Sequence, residues 1–320
     1  MNKSSLSFLN KYGIVFVLIA LVVYFSIASA SFMTFSNIMN VMRQVSMIGI
    51  TSVGMMFVIL TGGIDLSVGS VMSFVNVVAA FLMVNFGWHP VMAVIACVML
   101  SATAGLISGF FITKVRVPPF IATLGSMLVT RAVAQIYTNA FPVPMLTPEF
   151  LAIGRASWVT IPYVVSIPNV IMAFLIVLVL GGFLLTQTRY GKNIYAIGGN
   201  EMAARVAGIN VERNLIKVYV FSSLCAALAG VLLAARAGSG NSTLGINFEL
   251  DAIAAATVGG VSHSGGVARI SGVIAGILLL GVVNNGLLLL GISPYYQNVV
   301  RGVIIVGAVV FDMRKNAKRA

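Results

Sequence analysis

The sequence predicts an all-α polytopic membrane protein with about ten transmembrane helices. Of its 320 residues, 59% are apolar and only 8% are charged, whereas roughly 25% of the residues in a soluble domain are charged. Apolar stretches close to the 20 residues that cross a bilayer as a helix recur along the whole chain. These observations exclude a soluble globular protein. We expect a single transmembrane domain covering residues 1–320.

Ten apolar segments reach or approach the length of a transmembrane helix. The predicted spans are residues 14–33, 45–61, 66–86, 90–112, 119–138, 168–186, 214–237, 249–262, 270–291 and 295–312. The first follows Lys3 and Lys11 and is longer than the core of a signal peptide, so we interpret it as an uncleaved helix. The eighth is short and flanked by glycines.

The distribution of positive charge predicts the orientation. With the N-terminus inside, most of the 19 Lys and Arg residues fall between spans on the cytoplasmic side, as the positive-inside rule requires. Both termini are therefore expected in the cytoplasm, which requires an even number of spans. The net charge of +12 forms no single basic stripe, so nucleic acid is not the expected partner.

Two connections between the spans are long. Residues 139–167 are predicted to be an external loop, in which Pro142, Pro144, Pro148 and Pro162 disfavour a continuous helix. Residues 187–213 are the one substantial cytoplasmic loop.

A glycine-rich run at residues 62–69, Gly-Gly-Ile-Asp-Leu-Ser-Val-Gly, interrupts the apolar stretch of residues 53–80. A carboxylate at this depth costs several kcal/mol unless it is paired, solvated or placed at a helix start. Asp65 could cap the third span by accepting from the N–H of Ser67 or Val68. Alternatively, a broken helix could expose Asp65 to a polar pathway or a partner protein. The two interpretations are compatible.

A second run at residues 259–266 repeats the pattern of two glycines, Ile or Val, two variable positions, serine, a variable position and glycine. We expect short or broken helices near both runs. Paired interruptions of this kind are typical of duplicated transporters, although a chance match in a chain with 32 glycines is equally open. On the predicted topology the two runs point in the same direction. His263 in the second run is an isolated histidine without an assigned role.

Amide side chains lie within or at the ends of several spans. Hydrogen bonds between helices would explain any one of them, but together they suit a weakly polar passage for a neutral hydroxylated solute. The candidate pathway residues are Asp65, Asn76, Gln135, Asn284 and Asn285. Seven acidic residues and two histidines are too few for a proton relay or a typical catalytic or metal site. We therefore expect no metal and no cofactor.

The cytoplasmic loop contains a predicted short helix at residues 200–209. Asn200 is a capping residue, Glu201 favours the first turn, Arg205 can pair with Glu201 one turn later, and Gly208 ends the helix. A rigid helix of this kind fits a cleft in another protein. The sequence has no phosphate loop of the GxxxxGK[ST] type, so any energy from ATP is expected from a separate chain.

Four segments in order resemble the permease subunits of bacterial ATP-binding-cassette sugar importers, specifically the ribose-type family. They are residues 62–69, 195–210, 249–255 and 284–297. The resemblance implies a second copy of the permease, a cytoplasmic ATP-binding subunit and an extracytoplasmic sugar-binding protein, in the bacterial inner membrane. It also implies that Asn200, Glu201, Arg205 and Gly208 lie in the segment coupled to the ATPase. This segment departs from the usual Glu-Ala-Ala form, because Met202 replaces the first alanine.

We therefore expect a non-enzymatic permease that moves a neutral monosaccharide, ribose-like or related, by alternating access. The alternatives are a stand-alone secondary carrier or channel, and an importer permease for a nucleoside or a signalling molecule. An intramembrane enzyme is disfavoured because the sequence lacks a nucleophile-and-base or metal set.

Overall fold

Helices form most of the part of the chain that the structure describes. The computed structural model describes residues 3–144, 146–161 and 165–317. The helices are α1 (Lys3–Ala28), α2 (Phe35–Leu60), α3 (Val68–Phe86), α4 (Pro90–Phe110), α5 (Pro119–Thr138), α6 (Pro148–Arg155), α7 (Asn169–Gln187), α8 (Arg189–Gly199), α9 (Glu201–Val206), α10 (Val211–Ala237), α11 (Phe248–Val258), α12 (Ile270–Leu289) and α13 (Pro294–Ala317). A π-helical turn (Phe111–Val115) extends α4, and the strands β1 (Ser157–Ile161) and β2 (Val165–Pro168) pair antiparallel.

Each of the ten predicted spans contains a helix. Within the described ranges, seven helices are long and apolar enough to cross a membrane: α2, α3, α4 with its π-helical turn, α5, α7, α10 and α12. The helices at the first, eighth and tenth predicted spans are not among these seven. The structure therefore has the predicted all-α, polytopic character.

Two predicted boundaries are wrong at the start of the chain. The first span was expected to reach residue 33, but α1 ends at Ala28 and turns connect it to α2. α2 begins at Phe35, about ten residues before the predicted second span, and the Thr34 side chain accepts a hydrogen bond from Asn37 N. Arg43, which precedes the predicted span, lies within α2, and its guanidinium donates to the Asn40 side chain on the helix surface.

α2 and α10 form the centre of the bundle. Every residue of α2 from 45 to 60 is buried, and α10 packs between α2, α3 and α4. The contacts are close because glycines face the neighbouring backbone: a side chain at Gly54, Gly105 or Gly230 would collide with α10 or α3. Small residues allow this approach between membrane helices, where van der Waals packing replaces the hydrophobic effect.

The two ends of the bundle differ. α10 has 27 residues and is therefore about 40 Å long. Its first residue, Val211, packs with Ile197 of α8 and Ala204 of α9, whereas Arg236 near its end accepts a hydrogen bond from Arg155 of α6. We call these the α9 end and the α6 end.

The segment predicted to be the long external loop is not one continuous helix within the described residues, in agreement with its prolines. Pro148 opens the short helix α6, and the β1–β2 hairpin follows it. Pro142 and Pro144 lie in irregular backbone before α6. Pro162 lies outside the described residues.

The helix at the eighth predicted span, residues 249–262, is short, and irregular backbone precedes it. Residues 238–247 run irregularly along α3, and α11 then forms a helix of only 11 residues, about 16 Å long. Side chains of α3 hold the irregular part: Asn76 exchanges two hydrogen bonds with the backbone of Asn241, at 2.8 and 2.6 Å, and Ser73 Oγ accepts from Gly245 N at 3.1 Å. Irregular backbone inside a membrane protein requires such internal partners.

Candidate functional site

α9 has the capped geometry that its sequence predicts. The Asn200 side chain accepts a hydrogen bond from Ala203 N at 2.9 Å. At the other end, Gly208 adopts a φ of 79° and donates to Arg205 O at 3.0 Å, while Ile209 N donates to Ala204 O at 3.0 Å. This pair of bonds is a Schellman motif, which needs a left-handed residue at the position of Gly208.

The outer surface of α9 carries apolar side chains that the chain itself does not cover. Met202 is 71% exposed and Val206 is 84% exposed, one turn apart. Beside them Arg205 and Glu201 form a 2.9 Å ion pair, the predicted i, i+4 interaction. Ile209 packs inward, against Ile197, Ala204 and Val211. The helix is thus fixed on one side and presents apolar side chains on the other.

Charged contacts connect α9 to the start of α10 and to the π-helical turn at the end of α4. Glu212 at the start of α10 pairs with Lys114 of the π-helical turn and lies 3.8 Å from Arg205. These groups lie at the surface, where screening by solvent leaves little net stabilisation. Their arrangement connects three separate elements at the α9 end.

A basic cleft of about 450 Å³ opens beside α9. Its basic lining residues are Arg189, Arg213 and Lys217, all exposed. Lys217 Nζ lies 5.7 Å from the centre of the Tyr190 ring, a cation–π distance. The α9 end therefore has a positively charged surface.

α8 connects α9 to both glycine runs. Gly198, near the end of α8, packs against the Leu60 carbonyl at the end of α2, and a side chain at this position would overlap that oxygen. Gly266 of the second run donates its N–H to the same Leu60 oxygen at 2.9 Å. Tyr195 of α8 donates to Ala268 O at 3.0 Å. A displacement of α8 would therefore act directly on the end of α2 and on residues 265–268.

The Tyr195 hydroxyl is a stable donor in this contact. Burial raises the pKa of this phenol above its ordinary value, because the charged form is disfavoured away from water. The hydroxyl therefore stays protonated across the physiological pH range.

Both glycine runs follow the end of a helix, as predicted. α2 ends at Leu60 and α11 ends at Val258, and Gly62 and Gly260 adopt positive φ angles of 78° and 84°. Both helices end at the α9 end, so the two runs have the same direction. These positive-φ glycines occupy different positions of the shared pattern. His263 in the second run contacts Thr257, with 2.7 Å between Nε2 and Oγ1.

The first run folds back into the bundle and places Asp65 against α10. Asp65 Oδ1 accepts from Ser67 N at 2.9 Å and from Ser67 Oγ at 2.6 Å, and Oδ2 accepts from Ser222 Oγ at 2.8 Å. The predicted bond from Ser67 N is therefore present. Asp65 is 1% exposed. Ser222 is the twelfth residue of α10, about 16 Å from its start, so α3 begins inside the bundle.

The start of α3 meets the start of α11. A side chain at Gly69, the last residue of the first run, would overlap the Glu249 carboxylate and the Gly245 carbonyl. Gly69 thus allows the first turn of α11 to pack directly on α3. Two of the motifs that carry the family resemblance therefore form one structural unit.

Buried charges surround the start of α11. Glu249 and Asp251 in its first turn are both 6% exposed. Arg301 of α13 lies 2.8 Å from Asp251, between Nε and Oδ1, and Arg131 of α5 lies within electrostatic range of Glu249. Next to them is a cavity of about 240 Å³ between α11 and α13, lined in part by Asn247 and Arg301.

The remaining candidate pathway residues Asn284, Asn285 and Gln135 lie in separate parts of the structure. Asn285 of α12 forms a reciprocal amide pair with Asn37 of α2, with two bonds of 2.9 Å. Its neighbour Asn284 is buried and makes no side-chain hydrogen bond within the described residues. Gln135 is exposed, one turn along α5 from Arg131 on the same face. The five candidates therefore do not form one cluster.

Sequence reasoning missed several residues of this region. Ser222 and Asn37 are partners of predicted residues, but nothing in their local sequence distinguishes them from other polar residues of apolar helices. Glu249 and Asp251 lie in the third segment that carries the family resemblance, but we did not include them among the candidate pathway residues. They are two of only seven acidic residues, and acidic side chains at the start of an apolar helix are a sign of a special site.

The fold and the site together define a multi-pass membrane transport permease without a soluble domain in the described residues. Residues 37–309 match the family described as "Branched-chain amino acid transport system / permease component". The chain therefore belongs to this permease family.

Individual relatives are similar over nearly their full length. The ribose import permease protein RbsC of Bacillus subtilis is 43% identical over 97% of this chain and 94% of its own. The L-arabinose transport system permease protein AraH of Escherichia coli is 40% identical over 99% and 96%. The galactose/methyl galactoside import permease protein MglC of Escherichia coli is 36% identical over 99% and 98%. The resemblance to ribose-type permeases is thus confirmed. No solved structure matches the chain.

Proposed function

We propose that this protein is the membrane-spanning permease subunit of an ATP-binding-cassette importer that moves a neutral monosaccharide across the bacterial inner membrane. It acts as a gate, and a separate cytoplasmic ATP-binding subunit supplies the energy. A sugar-binding protein delivers the solute from outside, and a second copy of the permease completes the pathway. The relatives that import ribose, arabinose and galactose support this class of solute.

The observation that carries the proposal is the continuous contact from α9 to the two glycine runs. α9 is exposed and capped at both ends, and only Asn200 separates it from the preceding helix α8. Gly198 of α8 and Gly266 both meet the Leu60 carbonyl. ATP-driven movement of a partner bound to α9 would thus reach the end of α2. A two-state rearrangement of packed helices is a common form of such switching.

The α9 end faces the cytoplasm in this proposal. Its surface is rich in Lys and Arg, as the cleft beside α9 illustrates, and the positive-inside rule assigns such a surface to the cytoplasm. The α6 end with the β1–β2 hairpin then faces outward, towards the sugar-binding protein. The ten crossings comprise the seven long helices, α1, α13 and the split crossing formed by residues 238–247 and α11.

The partner ATPase binds α9 through Met202 and Val206. These side chains are too exposed to stabilise this chain on its own, and burial in a partner cleft removes their apolar surface from water. Glu201 and Arg205 beside them fix the orientation of the contact, and Asn200 and Gly208 fix its ends.

The five pathway candidates have two roles in the proposed mechanism. Gln135 and Asn284 have side-chain amides without internal partners in the described residues, so they contact the passing solute. Asp65, Asn76 and Asn285 hold the helices that form the walls, because their polar groups bond within the protein. A passage with few direct contacts leaves much of the selectivity to the binding protein.

Reconstitution tests the function. The permease is placed in proteoliposomes alone, with the ATPase, and with both the ATPase and the sugar-binding protein, and uptake of D-ribose, L-arabinose and D-galactose is measured. We expect ATP-dependent accumulation only in the complete mixture. Accumulation by the permease alone would instead establish a stand-alone carrier. Uptake of a nucleoside but of none of the three sugars would replace the proposed solute.

A further inference from the structure

We propose that the cavity at the start of α11 is a binding site for a neutral monosaccharide on the transport pathway. This inference rests on the function proposed above and gives it a location. The cavity has a volume of about 240 Å³. Its lining residues are Asn247, Leu250, Asn298, Arg301, Gly302 and Ile305.

The position of the cavity suits a solute that must be held between the two sides. α11 runs about 16 Å from Phe248 to the α9 end, within a bundle about 40 Å long. The cavity therefore lies between the two ends of the bundle, on its flank, where Leu250, Asn298 and Gly302 of the lining are exposed. Transporter sites commonly occur where a helix begins inside the membrane, because its first N–H groups have no partners within the helix.

The lining combines hydrogen-bonding groups with apolar surface. Asn247 and Asn298 can each donate and accept, and Arg301 contributes guanidinium donors. Leu250 and Ile305 offer apolar contact to the C–H faces of a sugar ring. Sugar hydroxyls also both donate and accept, so these groups are complementary to them.

The charges around the cavity favour an uncharged ligand. Arg301 is paired with Asp251, and Arg131 is placed near Glu249, so two positive and two negative groups balance. Adding a sugar phosphate or a cation would leave an uncompensated charge away from water, which is costly. A neutral polyol avoids this cost.

Unsatisfied polar atoms at the cavity wall provide an independent observation. Arg301 lines the cavity, and its Nε lies 2.8 Å from Asp251 Oδ1. Both atoms are buried, and neither has a hydrogen bond of good geometry within the described residues. A buried polar atom without a hydrogen bond is destabilising, and a sugar hydroxyl beside Arg301 would reduce this cost.

Sugar binding in the cavity is tested with the variant Leu250→Cys. Leu250 is 39% exposed, so a reagent can reach this position. Cys97 and Cys225 are buried, and both are replaced by alanine so that a methanethiosulfonate reagent labels only position 250. The labelling rate of the full-length permease in membranes is measured with and without D-ribose, L-arabinose or D-galactose. We expect one of these sugars at saturation to slow labelling at least about threefold, and mannitol 1-phosphate to leave the rate unchanged.

Two glycines of α13 provide a matched pair of variants. A side chain at Gly302 or at Gly307 meets no atom within 4 Å, and only Gly302 lines the cavity. Gly302→Leu should therefore fill the site and abolish the protection by sugar, whereas Gly307→Leu should preserve it. In the complete importer we expect Gly302→Leu to lower uptake at least about tenfold and Gly307→Leu to leave it near the parent rate.

A third variant removes one hydrogen-bonding group without changing the backbone. Asn247 has a φ of 71°, a conformation that glycine adopts without strain. Asn247→Gly should raise the sugar concentration needed for half-maximal protection about fivefold, the effect of one lost hydrogen bond.

The outcomes separate this site from the general function. If the complete importer takes up sugar while no sugar slows labelling and Gly302→Leu transports as well as Gly307→Leu, the cavity assignment is overturned and the function stands. If sugar protects position 250 but ATP and the partners never drive uptake, the site stands and the importer assignment fails.

Discussion

Gly266 donates its backbone N–H to the Leu60 carbonyl oxygen at 2.9 Å. This bond connects the second glycine run to the end of α2, immediately before the first glycine run. Gly198 of α8 packs on the same oxygen. Three segments that are far apart in the chain thus meet at one carbonyl group, and only residues without side chains fit around it.

Replacing Gly198 by alanine should disrupt this junction. A Cβ at this position would overlap the Leu60 oxygen and lie 2.6 Å from Gly266 N. These are backbone atoms that cannot move aside cheaply, so α8 must shift. We expect ATP-dependent uptake to fall at least about tenfold while the amount of protein in the membrane changes little.

The neighbouring glycine is the control for this variant. A side chain at Gly199 meets no atom within 4 Å, so Gly199→Ala should import at nearly the parent rate. Equal uptake by the two variants would show that the junction does not transmit the partner's movement.

Replacing Gly208 by valine should uncouple the permease from its ATPase. Gly208 has a φ of 79°, which is strained for any β-branched residue by roughly 1–2 kcal/mol. The Schellman motif that fixes the end of α9 would open, and α9 would lose its orientation. We expect uptake to be abolished and membrane insertion to be retained, as measured by transport assays and quantitative immunoblots.

Ala207→Val is the matched change one residue earlier. Ala207 is exposed and has a φ of −73°, which valine tolerates. This control should retain most of the uptake. Normal uptake by the Gly208→Val protein would remove Gly208 from the coupling segment.

The sequence was sufficient for the helical segments and for α9, and the reason is physical. Apolar stretches of transmembrane length have few alternative structures in a bilayer. α9 is likewise set by local groups: Asn200 caps it and Gly208 ends it. Information of this kind lies within a few consecutive residues, so it can be read without an alignment.

The split eighth crossing could not be predicted in the same way. Its irregular half depends on Asn76 and Ser73 of α3, which lie more than 160 residues away in the chain. The partners of Asp65 and Asn285, namely Ser222 and Asn37, are similarly remote. The sequence shows which polar residues of apolar helices need hydrogen-bond partners. The tertiary packing determines which residues those partners are.

Removing the Asp65 carboxylate should destabilise the protein. Asp65→Ala would leave Ser67 and Ser222 hydroxyls buried without their acceptor, at a cost of about 1–3 kcal/mol for each unsatisfied group. We expect a clear decrease of the unfolding temperature in detergent. Ser222→Ala, which removes only one of the bonds, should cause a smaller decrease.

A pathway role for Asp65 would give a different pattern. Uptake would then fall in the Asp65→Ala protein without a matching change in thermal stability. A parent-like unfolding temperature for Asp65→Ala would contradict the structural role assigned to this carboxylate.

The adjacent residues Asn284 and Asn285 of α12 allow a test of which side chains contact the solute and which only stabilise the fold. Asn285→Ala leaves Asn37 without its reciprocal amide, so stability should fall by about 0.6–1.7 kcal/mol, the range for hydrogen bonds between membrane helices. The double variant Asn37→Ala, Asn285→Ala should be little less stable than either single variant, because the interaction is lost only once.

Asn284→Ala breaks no hydrogen bond within the described residues, so its unfolding should match the parent while sugar uptake decreases. Unfolding of the purified variants in denaturant, measured beside ATP-driven uptake, tests both statements. Reduced stability of Asn284→Ala with uptake in proportion to folded protein would assign that residue to the scaffold as well.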